Sequence, residues 1–223
     1  MDRWRRRGAA PTGDGLTVYA RSTTIQAQPS SIDAGIAHFR DSTWPVLQRI
    51  DGCLGMSVLV DRDSGRCILT NSWRTLEAMH ASTEQMLPEH KRAAEILGGS
   101  PIDNLWQIAV IRRDDRSGPG ACVRSTWLKA RPELFDNAID FYQREMLPAI
   151  EGLDGFCNAS LMIDPTAARA VASVTYDSLE SMERSADAAG SMRTAMRRDL
   201  GLDQDDVGEF ELALAYLKAP RQV

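Results

Sequence analysis

Three histidines, His38, His80 and His90, all fall in the first half of this 223-residue chain. A neutral imidazole titrates near pH 6.5 and can take a phenolic proton, which makes His80 and His90 candidates for base or ligand contact. His38 sits beside the apolar Phe39 and reads as a solvent-facing helix residue. Arg21 and Arg124 each interrupt a β-branched run, where a charge is costly unless it is paired or solvated. One reading makes each guanidinium fork a clamp for an anion or enolate. The other makes it a structural ion pair between sheets, with Asp51, Asp61 or their counterparts. Trp73 and Tyr176 close β-rich runs and serve either as core or as a stacking wall for a flat ligand. Met79, Met86, Met182, Met192 and Met196 fill core gaps or line an adaptable apolar pocket. The catalytic candidates are therefore His80 and Arg21; the substrate-binding candidates are Trp73, His90, Arg124 and Tyr176.

Other chemistries lack their signatures. Cys53, Cys67, Cys122 and Cys157 form no C-x-x-C pair, so they read as reduced, buried thiols of a cytoplasmic protein, and no metal site is expected. The chain carries no phosphate loop, nucleophile elbow, zinc-protease motif or dinucleotide fingerprint. Net charge is −5, and the only basic stretch is the start, with Arg3, Arg5, Arg6 and Arg7. A nucleic-acid surface therefore has no electrostatic footprint. No apolar run is long enough to span a membrane, and no apolar stretch follows the basic start as a secretory signal would require. Residues 1–15, rich in Arg, Gly and Pro, are expected to form a disordered arm.

Shifted by 103 positions, the sequence matches itself. Arg21-Ser22-Thr23 falls on Arg124-Ser125-Thr126, Pro45 on Pro148, Asp51-Gly52 on Asp154-Gly155, and Leu97-Gly98 on Leu200-Gly201. Phe39 meets Tyr142, Val58 meets Leu161, and Trp73 meets Tyr176. One offset kept through helices, turns and strands points to a duplicated unit. The three histidines meet Asp140, Glu183 and Arg193, so only the first copy offers an imidazole.

Each copy must position these residues with the same elements. A strand (Leu16–Ile25; Ala121–Leu128) leads to Pro29 or Pro132 and an amphipathic helix, kinked where Pro45 or Pro148 falls and ended by Gly52 or Gly155. A hairpin follows, Leu54–Val60 with Cys67–Trp73, and Phe156–Ile163 with Ala170–Tyr176. Then come a second helix (Thr75–Leu97; Ser178–Leu200), with Asp177 and Glu180 as a capping box, and a last strand (Leu105–Ile111; Phe210–Leu217). The fold class is α+β: two tandem ferredoxin-like β-α-β-β-α-β repeats, 16–112 and 120–218, joined by a linker, 113–119, and followed by a tail, 219–223. The apolar sheet face of each repeat needs a cover. Two sheets packed face to face with helices outside are expected, with an edge left on each half for pairing into a homodimer of these pseudo-dimers.

The Pro-(x)6-Gly pattern at Pro45–Gly52 and Pro148–Gly155, then a strand, then an aromatic before an acidic-apolar helix (Trp73-Arg-Thr-Leu-Glu-Ala-Met-His80), resembles the dimeric α+β barrel superfamily. Within it the sequence is similar to antibiotic biosynthesis monooxygenase-like domains, over both repeats. The resemblance implies an intramolecular dimeric α+β barrel with a pocket between sheet and helices in each unit. It further implies cofactor-independent oxygenation of a small aromatic or quinol-type substrate. His80 would be the base, Arg21 the oxyanion partner and Trp73 the wall. The alternative is a binding module for a planar or apolar molecule without turnover. The family's haem-degrading branch uses an Asn on the first strand, a Trp after the third and a His on the next helix. Here Trp73 stands at the Trp position and His80 or His90 could stand for the His, but the first strand offers Arg21 or Ser22 instead of Asn, so no cofactor is expected and haem, though possible, is disfavoured. The expected partner is a small apolar or aromatic molecule, with neither nucleic acid nor membrane.

Overall fold

A computed structural model describes residues 17–113, 117–129, 132–200 and 203–217. The expected N-terminal arm, the C-terminal tail, the middle of the linker and Gly201 lie outside the described residues. The first half runs β1 (Val18–Gln26), α1 (Ile32–His38), α2 (Trp44–Leu47), β2 (Cys53–Val60), β3 (Arg66–Trp73), α3 (Leu76–Leu97) and β4 (Ile102–Arg113). The second runs β5 (Cys122–Lys129), α4 (Phe135–Phe141), α5 (Leu147–Glu151), β6 (Phe156–Asp164), β7 (Arg169–Tyr176), α6 (Leu179–Arg184), α7 (Ala186–Leu200) and β8 (Asp203–Leu217).

The eight strands close into a barrel in the order β1-β3-β2-β8-β5-β7-β6-β4, every neighbour antiparallel. This is the closed barrel that the family resemblance implies; the two facing sheets expected from the apolar faces are joined edge to edge at both seams. It also removes the free edges through which a second copy was expected to pair, because each strand is hydrogen-bonded on both sides. The cause is strand length. The last strands outrun their own sheets, β4 reaching Arg113 and β8 reaching Leu217. From Gln107 on β4 pairs with β6, and the far end of β8 pairs with β2 from Val60↔Glu211 to Gly55↔Leu217. The strand period of two then sorts side chains between an inner lumen and an outer face under the helices.

The expected kinks occur one turn before the prolines. A π-helical turn, Phe39–Thr43, joins α1 to α2, with Trp44 N–H donating to the Phe39 carbonyl. The same turn, Tyr142–Met146, joins α4 to α5. Pro45 and Pro148 have no N–H to offer, and the widened turn absorbs the missing bond. Gly65 ends the β2–β3 hairpin at φ +78°, and a Cβ there would collide with the Ala27 carbonyl.

On α3 the buried positions are Met79, Ser82, Met86, Ala93 and Leu97, one stripe at helical spacing. Thr75 caps it by accepting the Ala78 N–H. Its counterpart breaks into α6 and α7 around Ser185, and the cap there is Ser178, which accepts the Ser181 N–H. That corrects the capping box assigned to Asp177, whose carboxylate takes the Ser178 hydroxyl instead. Under α1–α3 lies a core of Ile32, Phe39, Leu47, Leu69, Trp73 and Met86; under α4–α7 lies one of Phe135, Ile139, Tyr142, Ile150, Leu161 and Met196.

Candidate functional site

Alternation along β1 sends Arg21 and Thr23 outward beneath α3, not between sheets. Arg21, 3% exposed, donates to the Met79 carbonyl at 2.9 Å, to Thr83 Oγ1 at 2.8 Å and to Ser82 Oγ at 3.4 Å. Burial pulls its pKa down, partly offset by Asp103. Arg124 makes the equivalent bonds to the Met182 carbonyl and Ser185 Oγ, both at 2.8 Å, and adds Glu209 at 2.8 Å. Both arginines thus staple the second helix of their half to the sheet, and the alternative partners Asp51 and Asp61 are not the ones used.

In the first half the space beside Arg21 is filled. Trp73 is fully buried and donates its indole N–H to Asn71 Oδ1 at 2.6 Å. Leu69, Phe39 and Met86 pack in the same cluster. His80 lies on the exposed side of α3, because Met79 and Ser82 take the inward stripe. His90 is half-buried and its Nε2 has no hydrogen-bond partner. His38 is largely covered, with Nε2 3.3 Å from Glu89 Oε2, which corrects the exposed reading. The structure therefore brings His90 near Arg21 and Asp103 but keeps His80 apart from Trp73.

Burial depresses the His90 pKa below 6.5; Asp103 and Glu89 oppose the shift and Arg21 adds to it. The unfolded state therefore binds the proton more tightly. Stability is full above about pH 6.5 and is lost as pH falls toward the depressed folded value. Thermal melts between pH 7 and pH 5 should fall more steeply for the native protein than for His90→Gln, and equal slopes would show that His90 does not carry the term.

The second half differs in side-chain size. Ala172 stands where the first half has Leu69, Val174 for Asn71, Tyr176 for Trp73, and Ala189 for Met86. The result is a hollow of about 50 Å³ between β5, β7 and the helices. Met146, Ile150, Leu153, Met192 and Met196 supply its apolar wall, and Arg124, Arg193, Tyr142 and Tyr176 its polar groups. The hydroxyls of Tyr142 and Tyr176 are buried without a partner. Burial pushes the Tyr142 pKa up, so that phenol stays neutral. Burial first, then Arg124, lowers the pKa of Arg193, which remains a cation at neutral pH. The Arg124 guanidinium lies 5.7 Å from the Tyr176 ring centre.

Of the residues singled out from sequence, Arg124, Tyr176, Met192 and Met196 share this hollow, while Arg21, Trp73, His80 and His90 are absent from its lining. Sequence reasoning missed Tyr142, Arg193 and the two alanines. The signal was in the 103-residue offset, which sets Ala172 against Leu69 and Arg193 against His90. Among the described residues no three His, Cys, Asp or Glu side chains converge as a metal site, and no helix is long and apolar enough to cross a membrane.

Residues 19–96 match the family model for antibiotic biosynthesis monooxygenase. Two uncharacterised proteins of Mycobacterium tuberculosis are each 53% identical to this chain, one over 94% of both chains and the other over 97% of this chain and 92% of its own. A candidate monooxygenase from Lactobacillus acidophilus shares the fold with a TM-score of 0.66 at 10% identity, covering 90% of this chain and 96% of its own. An anthrone oxidase-like protein does so at 0.63 and 14%, covering 92% and 94%.

Proposed function

We propose that this chain, which belongs to the antibiotic biosynthesis monooxygenase-like family of α+β barrels, binds a small hydroxylated aromatic in the hollow of its second half and oxygenates it without a resident cofactor. The same reading takes the two halves as diverged copies of one ferredoxin-like repeat. The observation that carries it is the pair of unpartnered Tyr142 and Tyr176 hydroxyls facing an apolar hollow beside two arginines. A buried hydroxyl without a partner costs about 1–3 kcal/mol, and a ligand oxygen would recover it.

The arrangement suits a phenol or quinol. Methionine and aliphatic side chains would surround the ring. Hydroxyl donors and the Arg193 charge would favour the ionised oxygen, lowering the ligand's pKa without a dedicated base. The resulting electron-rich anion can react with oxygen directly. For an anthrone-type substrate the balance is simple: a ring CH2 becomes C=O, one oxygen atom enters, and the other leaves as water with the two hydrogens. A cavity of about 150 Å³ accommodates benzene, so a ring enters the smaller hollow only as Met146, Met192 and Met196 move, as flexible thioethers do. Haem does not fit: the hollow is far smaller than a porphyrin and no imidazole lines it.

A second reading, binding without turnover, is favoured by one observation: among the described residues no carboxylate or imidazole lines the hollow. Hydroquinone, 1,4-naphthohydroquinone and anthrone, followed by calorimetry and by oxygen uptake, separate the two. Uptake above autoxidation supports oxygenation, binding alone supports a carrier, and no binding of any of the three sinks both. Tyr142→Phe should raise stability by about 1 kcal/mol while weakening binding about tenfold, since it removes an unpaired hydroxyl that only the ligand satisfies.

A further inference from the structure

The interior of an eight-stranded barrel is just wide enough for side chains to fill it. Here it is not filled. A cavity of about 220 Å³ runs into the lumen, opening beside Ile111, Ser117 and Leu217. Trp106 and Trp127 pack against its apolar residues Ala20, Ile108 and Met162, with Arg169 over the first at 5.4 Å and Arg66 over the second at 4.1 Å. This lumen cup shares no lining residue with the hollow under the helices.

Its lining is unusual for a barrel core. Six inward positions carry hydroxyls, and they come in pairs at the 103-residue offset: Ser57 with Ser160, Thr70 with Ser173, and Ser72 with Thr175. Ladder register places Thr70 opposite Ser57 and Ser173 opposite Ser160, so the groups encircle the barrel axis as two matched sets. Ser173 shares a hydrogen bond with Ser125 at 2.8 Å. Ser57, Thr70, Ser72, Ser160 and Thr175 spend their side-chain hydroxyls on no partner among the described residues. Between them Ala20, Ile108, Val123, Met162 and Leu212 offer apolar patches.

Barrel strands gain most from Val and Ile at such positions. Three pairs of hydroxyls surviving in halves whose outer pockets have diverged need a reason beyond folding. We propose that the lumen is a second binding site, for a small neutral polyhydroxylated molecule of monosaccharide or polyol size. Each hydroxyl of the lining both donates and accepts, matching a ligand whose oxygens do the same. The apolar patches suit the carbon face of such a ring, and the cup's size suits one ring. An ionic ligand is disfavoured, because among the described lining residues the one charged side chain is the exposed Arg113, paired across the ladder with Asn158, and the rest are hydroxyl, amide, thiol and apolar groups.

The test uses the full chain and D-glucose, D-ribose and glycerol as probes, read by NMR at the Ile108 and Met162 methyls. Saturable shifts there with at least one probe are expected. The isosteric pair Thr70→Val and Thr175→Val should weaken binding about tenfold or more while leaving the fold intact, since valine suits a strand. Ala172→Leu, in the outer hollow, should leave this binding unchanged. Failure of all three probes to shift either methyl, or equal affinity in the valine variant, overturns the proposal and leaves the cup to water. Success or failure here is independent of whether an aromatic binds beneath the helices.

Discussion

Ala172→Leu combined with Ala189→Met should abolish binding of a hydroxylated aromatic, by a factor of at least about a hundred, while raising stability. These are the side chains that the first half carries at Leu69 and Met86, where the same framework is solid. The new atoms would occupy the hollow bounded by Tyr142, Tyr176 and Met196, so ligand and side chains compete for one volume. Filling a void of this kind commonly gains about 0.5–2 kcal/mol. A melt and a calorimetric titration on the same sample read both effects. Binding that persists in the filled variant would place the ligand elsewhere. A fall in stability would show that the second half's helices have already settled into the space, so that added carbons overpack it.

The reverse exchange should cost more. Leu69→Ala with Met86→Ala empties the corresponding space in the first half, where both side chains are almost fully covered. Each large-to-small change in such a core costs about 2–5 kcal/mol. The two lie in one cluster, so their effects will not simply add. A typical domain has only about 5–15 kcal/mol in hand, and urea unfolding should show the doubly emptied protein near its limit. Trp73 and Asn71 would keep their hydrogen bond but lose their cover. If the loss stayed under about 1 kcal/mol, the first half would not be the tightly packed support inferred here.

These two experiments rest on a contrast that was partly visible in the residues. The 103-residue offset, the helix periods and the turn glycines located most elements, because each is a local signal. Barrel closure came only with the family resemblance, because no local pattern says which strand of one half will meet which strand of the other. Asp203-Gln204-Asp205-Asp206 reads as a polar loop, yet it is extended because β5 offers Lys129, Leu128 and Trp127 as partners. The site was legible in part. Arg124 and Tyr176 stood out by type. The hollow did not, because it is made by what is missing at positions 172 and 189, and an alanine announces nothing by itself. His80 was attractive for its distance from Trp73 along the chain. On α3 it lies one residue past Met79, about 100° around the helix from the inward stripe, and that rotation puts it in solvent.

The two seams of the barrel, β2 against β8 and β4 against β6, belong to a single polypeptide. In a barrel assembled from two identical subunits, any change of sequence is made twice, and both pockets must bear it. Assembly there also weakens on dilution. Here neither restriction applies. One half can specialise in holding the ring shut while its neighbour loosens around a guest, and the ring stays closed however scarce the protein becomes.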